Sequence, residues 1–267
     1  MDSTAFCIVG MHRSGTSLTA GWLKRSGLNV GDNLIDNGFD NPLGHFEDLE
    51  IVNFHRKELE SIGLDNSGLY VNKLKSAPVE FVNQKLAYEL FEKRGQCDFW
   101  GFKDPRTTLF LFAWKKLVPN FKTIIVYRHY SEVVDSLCRR LIKQLASPST
   151  PTFTKFHWEI LKTLRLKMQR KHYLNAWIRY NQIIINYHKA NPTESLIVSN
   201  RELVEHNELI IDKINEMLGA KFITKNISEF YDSNLMTVKE INKDSHNHFD
   251  KRAEDVLSEL KSFSMVI

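Results

Sequence analysis

Gly10-Met11-His12-Arg13-Ser14-Gly15-Thr16-Ser17 is the stretch from which the rest of the chain is read. Ahead of it, Ala5–Gly10 is a short apolar run carrying Phe6, Ile8 and Val9 and bounded by glycine, the pattern of a buried strand. Behind it, Ser17–Arg25 reads as a helix with Leu18 and Trp22 on one face and Gly27 as its stop. A glycine-bearing turn at a helix N-terminus offers unpaired backbone N–H groups and the positive end of the helix dipole, which together make an anion site. Gly15 lets the backbone approach a phosphate closely, Thr16 and Ser17 add hydroxyl donors, Ser14 belongs to the same turn, and Arg13 adds a fixed planar charge. The alternative is a strand–helix turn that holds no ligand.

Further along, Cys97–Lys103, Phe121–Tyr127 and Ser195–Val198 read as strands; the second (FKTIIVY) is β-branched and continuous. Helices are expected over Phe46–Ser61, Pro78–Arg94, Arg106–Val118, Ser131–Lys143, Asn207–Leu218 and Asp250–Phe263. Thr154–Ala190 is expected to be helical with a break near Arg170–His172. Short continuous apolar strands alternating with helices predict an α/β fold. It is a P-loop-like three-layer arrangement with a central, mainly parallel sheet flanked by helices. No repeat, low-complexity run or linker interrupts the chain, so one domain over residues 1–267 is expected.

The glycine spacing, G-x4-G, is that of a Walker A loop, but Thr16-Ser17 stand where Lys-Ser/Thr belongs. The missing lysine serves the β- and γ-phosphates of a nucleoside triphosphate. FKTIIVY also runs into Arg128 rather than an Asp that would hold Mg²⁺. Both points argue against an ATP or GTP hydrolase and weaken the rival reading of a nucleotide or small-molecule kinase.

The 267 residues carry 36 Lys+Arg against 32 Asp+Glu, a formal charge of +4, with 42% hydrophobic residues: a globular chain able to bury a core without disulfides. Cys7, Cys97 and Cys138 are far apart, none in a CxxC pair, which predicts free thiols. No 18-residue apolar run predicts a membrane span, and the start lacks a signal-peptide pattern, so a cytoplasmic protein is expected. The charge is uneven. Ser136–Thr193 holds eleven Lys and Arg against one acid, Glu159, a net +10, and the remainder carries −6. The bland reading is a solvated helical face; the functional one is a field that draws in polyanions, including an acidic acceptor. Trp158, Tyr173, Trp177 and Tyr180 lie in this stretch, but the last three recur at helical spacing, which favours core packing over nucleic-acid binding. His246 and His248 fit a solvated tail better than a metal site, and no metal is expected.

With a second motif, Val126-Tyr-Arg-His-Tyr-Ser-Glu-Val-Val-Asp-Ser136, the chain resembles the sulfotransferases that use 3′-phosphoadenosine-5′-phosphosulfate (PAPS). The loop around Arg13 looks like their 5′-phosphosulfate loop. Arg128 at a strand end, with Ser136 eight residues on, is similar to their 3′-phosphate motif. Ser195–Leu203 resembles a late strand–helix segment. GMHRSGTSL, Asn41-Pro-Leu-Gly-His-Phe-Glu-Asp48 and Phe102-Lys-Asp-Pro-Arg106 look most like bacterial proteins related to carbohydrate and tyrosylprotein sulfotransferases. Two departures stand out: Tyr130 replaces a usual proline, and the C-terminal Arg-Lys-Gly triplet of the cytosolic small-molecule branch is absent.

The resemblance implies in-line transfer of a sulfuryl group from PAPS to an acceptor hydroxyl or amine, leaving 3′-phosphoadenosine 5′-phosphate (PAP), with no metal. Arg13 would meet the charge on the departing bridging oxygen. Ser14, Gly15, Thr16 and Ser17 would hold the 5′-phosphate, and Arg128 and Ser136 the 3′-phosphate. Glu47 and His45 are the candidate bases, with Glu47 favoured; its alternative is a carboxylate facing a helix dipole. Lys103 matches a lysine that lies near the acceptor in related branches, whereas Asp104 and Arg106 are equally readable as a structural pair. His12 is expected to pack the loop. A protein that binds PAP without chemistry is a further alternative. The acceptor, whether carbohydrate or another small metabolite, and the oligomeric state stay open.

Overall fold

The computed structural model describes residues 3–35, 44–72, 74, 78–148, 150–151, 153, 158, 161–227 and 248–264. Asn41–Leu43 of the NPLGHFED motif, Lys155 and Glu159 of the basic stretch, His246, and the side chain of His248 lie outside what is described. In chain order come β1 (Thr4–Val9), α1 (Thr16–Ser26), α2 (Leu49–Ser61), α3 (Gln84–Arg94), β2 (Phe99–Lys103), a 3₁₀ turn (Pro105–Phe110) and α4 (Leu111–Leu117). They are followed by β3 (Phe121–Tyr127), α5 (Tyr130–Ala146), α6 (Lys162–Ala190), β4 (Ser195–Ser199), α7 (Asn200–Glu205), α8 (Asn207–Leu218) and α9 (His248–Phe263).

The four strands form one sheet in the order β2-β1-β3-β4, every pair parallel, with Ile8 opposite both Lys103 and Ile124, and Ile125 opposite Ile197. Alternate residues feed two cores. Phe6, Ile8, Ile124 and Val126 pack with Trp22, Leu23 and the isoleucines of α8 on one side. Cys7, Val9 and Ile125 pack with Phe54, Trp114, Trp177 and Leu257 on the other. The result is the expected three-layer α/β architecture.

Because the strands are parallel, Val9, Lys103, Tyr127 and Ser199 all end on one edge. The chain leaves β1 for β2 on one side and returns to β3 on the other, so the strand order reverses at β1. The crevice outside the carboxyl ends at such a reversal is where open α/β sheets bind ligands.

Local capping shifts several expected boundaries. The helix anticipated from Phe46 begins at Leu49, because Asp48 accepts the Glu50 and Ile51 N–H groups at 3.0 and 3.4 Å. Phe46 and Glu47 are thereby left in the segment that leads into the helix. The helix anticipated from Pro78 begins at Gln84, capped by Asn83; the segment before it is held by Glu58, which accepts the N–H groups of Val82 and Asn83. The helix expected over Arg106–Val118 divides into the 3₁₀ turn and α4. α6 runs unbroken through residues 170–172, where Arg170 pairs with Asp135 (2.6 Å) and His172 stacks on Tyr70 with ring centroids 4.3 Å apart. Its anticipated start at Thr154 lies outside the described residues. α7 is the helix of the strand–helix segment Ser195–Leu203; a capping box between Ser199 and Glu202 starts it. Tyr173, Trp177 and Tyr180 are buried, as core packing requires.

Candidate active site

The turn after β1 is shaped by two close approaches. Gly10 lies against β3 so tightly that a Cβ would stand 2.2 Å from the Val126 carbonyl oxygen, and its N–H donates to Thr108 Oγ1 at 3.1 Å. Gly15, at φ +101°, caps α1 with no side chain bonded to the first turn and no acidic residue in it. The N–H groups of that turn are therefore available to an anion, and the dipole favours one. Asn200, at the start of α7, closes on Gly15 from the β4 side; it lies within the strand–helix segment Ser195–Leu203, with no role assigned to it in the sequence.

Arg13 and Phe46 are the only non-glycine residues with positive φ among those described, at +68° and +51°. A side chain in this region costs about 1–2 kcal/mol. Both flank the N-terminal half of α1. Arg13 Nε donates to Ser136 Oγ at 2.9 Å, which joins the loop after β1 to α5. The Phe46 ring lies over Gly21 of α1, where a Cβ would stand 2.9 Å from it. That contact anchors the residue just before Glu47.

Lys103 ends β2 with its side chain buried. Nζ donates to Glu47 Oε1 at 2.6 Å and to Ser17 Oγ at 3.1 Å. Burial lowers the Lys103 pKa from the usual lysine range, and the Glu47 carboxylate opposes that shift. The fold thus brings three anticipated residues, Ser17, Glu47 and Lys103, into one polar cluster at the α1 N-terminus. Asp48, not Glu47, takes the capping position of α2. His45 lies partly buried two residues earlier.

Asp104, the next residue, faces the opposite way into a sealed network. It accepts from Arg106 Nη1 at 2.7 Å and from the Arg106 backbone N–H at 3.1 Å, and contacts His55 Nδ1 at 2.9 Å. Trp114 Nε1 donates to His55 Nε2 at 2.9 Å, which leaves the His55 proton on Nδ1, directed at Asp104. Asp104 and His55 are fully buried. Desolvation pushes the Asp104 pKa up, but the charge of Arg106 and the His55 hydrogen bond outweigh it and hold the carboxyl well below the usual range. Of the two readings of Asp104 and Arg106, the geometry is that of the structural pair. His55, its third member, was not recognised in the sequence.

Arg128, at the end of β3, is buried; its Nε donates to Glu132 Oε2 one turn into α5, and its carbonyl accepts from Trp177 Nε1 at 3.0 Å. Tyr130, in place of the usual proline, packs edge-on against Trp177 (5.6 Å) and donates to Glu254 Oε1 of α9 at 2.6 Å. The C-terminal helix therefore reaches the start of α5. His12 packs edge-on to Tyr180 (6.3 Å), and its Nε2 is enclosed with no hydrogen-bond partner among the described residues. Burial, then the nearby Arg106 charge, lowers its pKa to about 3.

Among the described residues no group of three or more His, Cys, Asp or Glu is placed to hold a metal, and no helix is long and apolar enough to cross a membrane.

No family model matches the chain, and no curated protein matches it. Solved structures do. A sulfotransferase domain from the olefin synthase of Synechococcus PCC 7002 is 16% identical, covering 99% of this chain and 95% of that one with a TM-score of 0.53. A sulfotransferase domain from the curacin biosynthetic pathway is 16% identical, covering 99% and 93% at 0.50. A sulfotransferase from Alicyclobacillus acidocaldarius is 11% identical, covering 97% and 94% at 0.50. The chain has the fold of these sulfotransferases along nearly its whole length.

Proposed function

We propose that this protein is a PAPS-dependent sulfotransferase. The observation that carries the reading is Lys103, which ties a carboxylate, Glu47, to Ser17 of an uncapped, glycine-flanked helix N-terminus. An anion site and a proton acceptor then stand side by side, without the Walker lysine that would direct the loop to a nucleoside triphosphate. The three-layer sulfotransferase fold agrees with this.

In this reading the N–H groups of the α1 first turn, with Ser14, Gly15, Thr16 and Ser17, hold the 5′-phosphate of the donor. Arg128 and Ser136, on the neighbouring β3–α5 junction, hold the 3′-phosphate. Arg13, already hydrogen-bonded to Ser136, turns its guanidinium to the bridging oxygen as negative charge grows there. The donor supplies an activated sulfuryl group. Glu47 accepts the proton of the acceptor hydroxyl or amine as its oxygen or nitrogen bonds to sulfur and the sulfur–oxygen bond to the phosphate breaks. Lys103 holds Glu47 in place.

The test is calorimetric binding of PAP, followed by transfer of labelled sulfuryl from PAPS to neutral and acidic carbohydrate and small-metabolite acceptors. Micromolar binding and transfer, both lost in Arg13→Ala, are expected. Binding without transfer to any acceptor would favour a PAP-binding protein; magnesium-dependent ATP turnover without PAP binding would favour a kinase.

A further inference from the structure

α5 and α6 form an antiparallel hairpin that rises from the candidate donor site. The Asp135–Arg170 ion pair sets their register at the level of Ser136. Beyond it, the first ten residues of α6 carry Lys162, Arg165, Lys167, Arg170 and Lys171, and α6 holds no carboxylate anywhere in its 29 residues. The solvent-facing arc at the start of this helix is mixed: Leu161 at the N-cap, Leu164 and Met168, spaced i, i+3 and i+7, are 40%, 57% and 64% exposed, among exposed Thr163, Lys167, Arg170 and Lys171. Lys167 and Lys171 lie on the same side, both exposed. Ile142 and Lys143 of α5, also exposed, come level with the start of α6, about 10 Å beyond the ion pair at 1.5 Å per residue. A surface helix ordinarily shows water its polar face. Here large apolar side chains and lysines share the outer face.

From this we infer that the outer face of the first turns of α6, with Ile142 and Lys143 of α5 beside it, docks on an anionic lipid surface. Leucine and methionine side chains would enter the headgroup–acyl boundary while lysines meet the lipid phosphates, the pattern of interfacial helices. Charge complementarity points to an anionic partner. The stripe is three side chains long, about 10 Å, far short of the roughly 800 Å² per partner that a stable protein dimer buries. A cleft of about 430 Å³ between Leu109, Phe112, Arg179 and Val256 does not include these residues.

The experiment is sedimentation of the full chain with phosphatidylcholine vesicles, with and without phosphatidylglycerol. Binding at least tenfold stronger to the anionic vesicles is expected, as is loss of about tenfold or more in Leu164→Asp and in the double variant Lys167→Glu, Lys171→Glu, at about 1 kcal/mol per basic side chain. Both variants alter exposed positions and should keep the circular dichroism and PAP affinity of the parent, so that a failure of docking is distinguishable from a failure of the sulfotransferase reading. No preference for phosphatidylglycerol, or binding undiminished in Leu164→Asp, would overturn the inference. So would a halving of the solution mass in Leu164→Asp, which would assign the stripe to a contact between copies.

Discussion

Lys103 and Asp104 are adjacent in sequence and point into opposite kinds of surroundings. Lys103 meets Glu47 and Ser17, where the Glu47 side chain keeps 14% of its surface in solvent beside the α1 N-terminus. Asp104 meets His55 and Arg106 with no exposure, and Trp114 closes the far side of the histidine. Both clusters are charged and hydrogen-bonded, so polarity alone does not mark the functional one. The difference lies in what else each can reach. In the Asp104 network the carboxylate is saturated by a guanidinium, an imidazole and a backbone N–H, an arrangement that orders a turn. The Lys103 cluster opens onto unpaired helix N–H groups.

The sharpest way to break this contrast is to remove each carboxylate's charge while keeping its shape. Glu47→Gln is expected to lower kcat by about 10²–10⁴, the worth of a positioned base, with PAP affinity within twofold and the melting temperature nearly unchanged. Asp104→Asn should do the reverse. Loss of one partner from a buried ion pair costs about 3–5 kcal/mol, read in urea unfolding, while the protein that remains folded binds PAP normally. If Glu47→Gln unfolds the protein as readily as Asp104→Asn does, both clusters are structural and the base assignment fails.

Acid sharpens the same contrast. The Asp104 carboxyl is held below its ordinary range, so its stabilisation is present above the unfolded-state pKa near 4 and is lost as pH falls toward the folded value. His12 also titrates low, at about 3 against 6.5. Between those values the unfolded chain binds a proton that the folded one refuses, and stability again falls as pH drops. The urea midpoint should therefore decline from pH 7 to pH 4, at a slope of at most about 1.4 kcal/mol per pH unit for each group. His12→Gln should flatten the part above pH 5. A His12→Gln profile identical to the parent's would mean that His12 ionises freely in the folded protein.

What the sequence disclosed follows from how local each feature is. The phosphate loop, its strand and its helix lie within about twenty consecutive residues, and Gly27 stops α1 as read. The parallel sheet was legible because each strand is apolar on both faces. The Lys103–Glu47 and His55–Asp104 contacts join residues 56 and 49 apart, and nothing in either segment announces its partner. Helix starts moved wherever a side-chain cap outranked periodicity, as Asp48 did at α2. The same cap is what freed Glu47 from the helix. Gly21 carried no readable signal either: inside an expected helix it looks like a weak position, and only the Phe46 ring above it explains it.

That last pair allows the subtlest test, because it separates holding a residue in place from holding the protein together. Gly21→Ala improves helix propensity by about 1 kcal/mol. It also puts a methyl 2.9 Å from the Phe46 ring, a contact the ring relieves by tilting. The two effects nearly cancel in stability, so the melting temperature should move by no more than a few degrees. They do not cancel at Glu47, the next residue, whose carboxylate must stay within reach of both Lys103 and the acceptor. A shift of about 1 Å there should lower kcat roughly tenfold or more with PAP affinity unchanged. The reduced variant Phe46→Leu, paired with Gly21→Ala, should recover part of the loss by giving the methyl room. If Gly21→Ala keeps full turnover, the α1–Phe46 contact only packs the loop, and Glu47 is positioned by Lys103 alone.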